Sequence, residues 1–147
     1  MSFAIDTNLL LYASDESSPY HQKARDLLDD IASGPDLVYI FWPVTMGYLR
    51  IATHPRIFQH PLTSEQAVAN VTRLLDRPHV RTPGEGERFW TTLLTVTSET
   101  HVSGNLVPDA HLVALMREHG VSRIWTRDRD FRKFDGIDVV DPLTGAR

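Results

Sequence analysis

The 147-residue chain has no cysteine. That absence excludes disulfides, thiolate zinc sites, iron–sulfur clusters and cysteine nucleophiles together. No apolar run approaches the ~20 residues of a membrane-spanning helix, so no membrane association is expected. The opening Met1-Ser2-Phe3-Ala4-Ile5-Asp6 lacks a basic segment, and Asp6 interrupts its apolar stretch, so it does not read as an export signal. A cytoplasmic location is the expectation. Excess positive charge is missing too. The formal net charge is −4, which argues against a protein that holds nucleic acid by bulk charge but leaves room for a local basic patch. Lysine is scarce: 13 of the 15 basic residues are arginine, the planar fork suited to phosphate and carboxylate.

What is present is ordinary globular composition, with 41% hydrophobic and 23% charged residues, enough to build a core and too apolar for disorder. The length and the lack of repeats or linkers predict a single domain spanning residues 1–147. Phe3-Ala4-Ile5 reads as a short buried strand ending at Asp6. Tyr20 to Ile31 carries Ala24, Leu27, Leu28 and Ile31 at one-face helical spacing. Leu37 to Trp42 is a continuous apolar, β-prone run, as expected for a strand buried on both faces of a parallel sheet. A helix is expected over Thr45 to Thr53, stopped by His54-Pro55.

Thr63-Ser64-Glu65-Gln66 matches a capping box opening a helix to about Leu75. A short strand is expected around Val80, then a helix over Glu87 to Ser98. Asn105 to His119 reads as a helix with Pro108 and Asp109 in its first turn and Gly120 as its left-handed stop. Val121 to Thr126 and Ile137 to Val140 complete the strands. Strands alternating with helices predict an α/β fold with a mainly parallel sheet of about four or five strands and helices on both faces. In such sheets ligands bind beyond the carboxyl ends of the strands, where strand order reverses.

That rule gathers the acids. Asp6 closes the first strand, Asp128 follows the Val121–Thr126 strand with Asp130 two positions on, and Asp109 lies in the first turn of the intervening helix. Two carboxylates ~4 Å apart repel by about 4 kcal/mol at an effective dielectric near 20. Three or four at one rim require raised pKa values or a cation. Oxygen-only ligands favour a hard divalent ion, Mg²⁺ or Mn²⁺, over zinc. Such an ion suits hydrolysis at a phosphoryl centre. Taken singly, each acid also has a plain structural reading: a strand-end turn for Asp6, a favourable helix start for Asp109, and a solvated ion-pair turn for Asp128 and Asp130.

Asn8 could orient Asp6 or a water, or simply form an Asx turn, and Thr126 could bond within the rim or just finish its strand. The seven histidines make no close metal-binding pair, and His119 reads as a cation at a helix C-terminus. Arg123, Arg127, Arg129, Arg132 and Lys133 cluster beside Asp128, while Arg50 and Arg56 form a second basic group. Phosphate contact and pairing with neighbouring acids are both open to them. Phe131 and Phe134 read as core.

Four segments, in order, carry a resemblance: Phe3-Ala4-Ile5-Asp6-Thr7-Asn8, then Gly47-Tyr48-Leu49-Arg50-Ile51-Ala52-Thr53-His54-Pro55-Arg56, then Asp109-Ala110-His111-Leu112, then Trp125-Thr126-Arg127-Asp128-Arg129-Asp130-Phe131. Together they resemble the PIN-domain family and, within it, the VapC-type toxin ribonucleases. The resemblance implies the toxin of a type II toxin–antitoxin pair: a Mg²⁺-dependent endoribonuclease, commonly a homodimer, blocked by a cognate VapB-like antitoxin. It implies an acidic metal site of Asp6, Asp109 and Asp128, which are also the catalytic residues, with Asp130 auxiliary and Asn8 and Thr126 supporting. Arg50, Arg127 and Arg129 are the expected RNA contacts. One position departs from the family pattern. The family's glutamate in a Glu-x-x-Arg arrangement is replaced by Gly47, with Arg50 retained.

The leading expectation is therefore hydrolysis of RNA phosphodiester bonds by metal-activated water. The alternative is a catalytically impaired RNA-binding module, with Gly47 in place of the family glutamate, that blocks RNA without cutting it. A small-molecule phosphohydrolase of the aspartyl-nucleophile type would want Asp-x-Asp at the start, and Asn8 holds the second place.

Overall fold

A computed structural model describes residues 1–145. In chain order its elements are β1 (Ser2–Ile5), α1 (Thr7–Ser14), α2 (His21–Ser33), β2 (Leu37–Tyr39), α3 (Trp42–Ala52), α4 (Ser64–Leu75), β3 (Val80–Arg81), α5 (Phe89–Glu99), α6 (Leu106–Glu118), β4 (Arg123–Trp125), a 3₁₀ turn (Arg129–Lys133) and β5 (Asp138–Val140). The sheet has five strands in the order β3-β2-β1-β4-β5, and every neighbouring pair is parallel. The expected α/β architecture is thus the observed one.

Chain direction across the sheet reverses at β1. The first two crossovers step outward from β1 to β3, and the next returns to the other side of β1. Right-handed connections then place α1–α4 on one face and α5 and α6 on the other. The packing agrees: α1 contacts α2 and α3, α3 contacts α4, and α5 contacts α6. Phe3, Ala4 and Ile5 are all buried, as a strand covered on both faces requires.

The capping box forms in full. Thr63 Oγ1 accepts from the Gln66 N–H at 3.1 Å, and Gln66 Oε1 accepts from the Thr63 N–H at 2.9 Å. Gly120 has φ +71° and stops α6 as expected. α6 buries Ala110 and all of Leu112 to Met116. A helix apolar on nearly every side lies in the core, which fixes the position of Asp109 at its start. Phe131 and Phe134 are buried as expected.

The apolar run from Leu37 divides differently from its expectation. The strand ends at Tyr39, and α3 already begins at Trp42. Pro43 in the first turn supplies the helical φ and lacks an N–H that the turn could not use. Ile40 and Phe41 are fully buried between the two elements, so burial rather than strand length accounts for their hydrophobicity. No helix among the described residues is long and apolar enough to cross a membrane.

Candidate metal and nucleic-acid site

β1 and β4 lie side by side at the point where strand order reverses, and the Asp6 N–H donates to the Trp125 carbonyl at 3.1 Å. The next residue on each strand is functional in type: Asp6 after Ile5, and Thr126 after Trp125. Asp6 caps α1, its Oδ1 accepting from the Thr7 N–H at 2.7 Å. Its Oδ2 accepts from the Thr126 hydroxyl, also at 2.7 Å.

Thr126 is 1% exposed and fully engaged. Its oxygen also accepts from the Asn8 amide at 3.1 Å and from the Asp128 N–H at 2.9 Å. A hydroxyl has one proton and two lone pairs, and all three are used here. With Asp6 ionised, the Asn8 atom facing Thr126 must be the donor nitrogen. Among the described residues Asn8 Oδ1 is buried without a hydrogen-bond partner, an acceptor beside the acids free for a water or cation.

Asp128 caps the 3₁₀ turn, its Oδ1 accepting from the Asp130 N–H at 2.9 Å. Asp109 enters from the first turn of α6. Asp109, Asp128 and Asp130 each present an oxygen within 4.8 Å of the others. Asp6 stands beside this group and outside it, joined through Thr126. The electrostatics follow. Burial pushes the Asp109 carboxyl up, the charges of Asp128, Asp6 and Asp130 push it further, and Lys133 partly opposes them, so it titrates at about 7. Burial also raises Asp6, against the Thr126 and Thr7 hydrogen bonds that lower it, and Asp128 adds to the rise.

Such a cluster is unfavourable by itself and is relieved by a cation. The donors are all hard oxygens, the orphaned Asn8 carbonyl adds another nearby, and no cysteine competes. The residues fit a divalent ion of the Mg²⁺ or Mn²⁺ type. Gly47 faces Thr7, the residue after Asp6: a Cβ at position 47 would lie 3.3 Å from Thr7 Oγ1.

The arginines separate into two kinds. Arg127 is committed within the fold: its Nε donates to Asp141 Oδ2 at 3.0 Å, and its guanidinium lies 4.0 Å over the Tyr20 ring. Arg123 pairs with Asp138 at 2.7 Å. Arg50 and Arg129 are exposed. His119 donates to the Gly84 carbonyl at 2.9 Å, and His111 pairs with Glu85 at 2.8 Å, so both histidines serve the loop before α5. Sequence reasoning missed Tyr20 and Asp141 as partners of Arg127. Neither belongs to a local motif, and only the folded sheet brings them together.

A family model described as PIN domain matches residues 3–137. Ribonuclease VapC48 of Mycobacterium tuberculosis is 50% identical over 145 residues, covering 99% of this chain and 100% of the relative. The crystal structure of Mycobacterium tuberculosis VapC20, described as a Sarcin-Ricin loop cleaving toxin, superposes with a TM-score of 0.64 at 19% identity, covering 92% of this chain and 98% of that one. VapBC2 from Rickettsia felis, bound to a DNA fragment from its promoter, gives 0.64 at 14% identity, covering 95% and 97%.

Proposed function

The chain belongs to the VapC-type toxins of the PIN-domain family, and from that premise we propose that it is a Mg²⁺-dependent endoribonuclease restrained by a VapB-like antitoxin. The observation that carries this reading is the convergence of Asp109, Asp128 and Asp130 beside Asp6 at the sheet's switch point. The 50% identical full-length relative is named a ribonuclease, and a toxin–antitoxin complex from Klebsiella pneumoniae is among the structural neighbours.

Asp109, Asp128 and Asp130 would hold the ion, with Asp6 completing the acidic site from the end of β1. A bound divalent ion supplies activation of water and neutralisation of charge at the phosphoryl centre. The chain's own residues do the rest. Thr126 fixes Asp6, Asn8 and the turn bearing Asp128 in one arrangement. The Asn8 carbonyl offers an acceptor that orients a water beside the acids. Arg50 and Arg129 approach the RNA backbone from the exposed side, while Arg127 holds its turn against Tyr20 and Asp141. A homodimer is the further expectation, with the exposed pairs Trp42/Met46 on α3 and Trp90/Leu94 on α5 as candidate faces.

The test is RNA cleavage with Mg²⁺, with EDTA, and by Asp6→Asn and Asp109→Asn proteins whose folding is checked by circular dichroism. Cleavage confined to the Mg²⁺-loaded wild type is expected. Full activity from either folded variant would remove that acid from the site. A second reading rests on Gly47: RNA is bound and blocked, not cut. It requires RNA binding with no cleavage at saturating Mg²⁺ or Mn²⁺.

A further inference from the structure

Lys133 is one of only two lysines in the chain, and its position is set by the 3₁₀ turn. At three residues per turn, positions i and i+3 eclipse, so Lys133 must stand over Asp130. Its Nζ lies 3.2 Å from Asp130 Oδ1. The turn cannot easily rotate away. Asp128 caps its start, Phe131 and Phe134 are buried beneath it, and the Thr100 hydroxyl donates to the Lys133 carbonyl at 2.9 Å. Asp130 is itself a member of the three-carboxylate group. The fold therefore holds the backbone that carries this ammonium at the rim of the candidate ion site, where Nζ faces Asp130 directly and Asp109 through its charge.

The pair is also reachable. The Lys133 side chain is 58% exposed and that of Asp130 is 55% exposed. An exposed ion pair of this kind contributes little to stability, so holding the fold is a weak reason for its placement. An ammonium is a compact point charge on a long stem and can exchange one anionic partner for another.

We propose that Lys133 is a substrate-phosphate contact of this site: it neutralises Asp130 in the ion-free protein and transfers to a non-bridging oxygen of the RNA backbone when a divalent ion occupies the carboxylates. This deepens the ribonuclease reading and rests on it. The exchange demands two effects of opposite sign from one substitution. Removing the ammonium takes away a competitor for Asp130, so a divalent ion binds more tightly. The same removal takes away a phosphate partner, so RNA binds more weakly.

The experiment uses the full chain as wild type, Lys133→Met and Lys133→Arg. Mn²⁺ affinity is measured by calorimetry without RNA. Affinity for a mixed-sequence, fully 2′-O-methylated oligoribonucleotide, which resists cleavage, is measured across a salt series at saturating Mn²⁺. For Lys133→Met the expected results are Mn²⁺ affinity raised roughly threefold or more, and a salt slope shallower by about 0.7, the value of one lost phosphate contact on a single strand. Lys133→Arg keeps the charge and should restore both measurements towards wild type.

A merely structural lysine would not move the two affinities in opposite directions. Unchanged or weaker Mn²⁺ binding by folded Lys133→Met, or an unchanged salt slope, would overturn the proposal. Should wild type bind neither Mn²⁺ nor the oligoribonucleotide, the ribonuclease reading itself fails. If wild type binds both and Lys133→Met matches it, this inference alone fails.

Discussion

Thr126 and Asp6, 120 positions apart in sequence, are joined by a 2.7 Å hydrogen bond in which the buried threonine hydroxyl donates to the carboxylate. The same hydroxyl oxygen receives the Asn8 amide and the Asp128 N–H. One side chain thus sets the relative placement of both strand ends that carry the acids.

Thr126→Val keeps the shape and removes every one of these bonds. The Asn8 amide and the Asp128 N–H lose their acceptor and Asp6 loses a donor, a loss of about 3 kcal/mol in total. A urea denaturation series should show this as a lower midpoint with an unchanged slope. Thr126→Ser keeps the hydroxyl and should cost less than about 1.5 kcal/mol. Equal stability of the valine and wild-type proteins would show that the bonds do not hold the fold.

The pH dependence of the ion-free protein follows from Asp109. Its carboxyl titrates at about 7 in the fold, against 3.8 when exposed. Between those values the folded protein retains a proton that the unfolded chain has released. Stability is therefore greatest below pH 3.8 as far as this group is concerned, declines as pH rises, and levels off above pH 7. Thermal melts in EDTA from pH 5 to 8 should fall with rising pH. Asp109→Asn should flatten that part of the profile.

Ion binding has the opposite pH dependence. A carboxylate must lose its proton to become a ligand, so Mn²⁺ affinity should weaken below about pH 7 and each binding event should release protons. Calorimetry in two buffers of different ionisation heat measures the release. Proton release that is zero at pH 6.5 would take Asp109 out of the ligand set.

Gly47→Glu tests the departure from the family pattern. The new Cβ would meet Thr7 Oγ1 at 3.3 Å, so Thr7, whose hydroxyl donates to the Val44 carbonyl, must yield by a few tenths of an ångström, and replacing a helix-interior glycine offsets part of that strain. The expected outcome is a folded protein whose affinity for Mn²⁺ rises at least threefold, because another carboxylate joins the site. Gly47→Ala is the control and should leave that affinity unchanged.

Arg127→Ala and Arg129→Ala should part company. Arg127 bonds Asp141 and stacks on Tyr20, so its loss should cost about 1–2 kcal/mol of stability and leave the salt dependence of RNA binding intact. Arg129 is exposed, so its loss should make the salt slope shallower by about 0.7 and leave stability intact.

Much of the fold was legible because local rules and the fold agreed. The Thr63 box, the Gly120 stop and the placing of Asp109 in a first helical turn each depend on residues within one turn of chain. The run from Leu37 to Trp42 overstates the strand, because burial and strand formation select the same side chains; Pro43 is the local signal that a helix has begun. Asp6, Asp109, Asp128 and Asp130 could be named as candidates because carboxylates at strand ends and helix starts share one edge of a parallel sheet.

The sequence by itself determined the alternation of strands and helices, the hard-oxygen chemistry of the candidate ligands and the exclusion of thiolate chemistry. Tertiary structure alone decided that Asp130 joins Asp109 and Asp128 while Asp6 is held beside them through Thr126. It alone committed Arg127 to Tyr20 and Asp141, and it carried the turn that locally pairs Lys133 with Asp130 up to Asp109. The physical reason is range. Helix caps and turns are fixed by bonds a few residues long, whereas a carboxylate's neighbours are fixed by which strands lie together, and no local pattern encodes that distance.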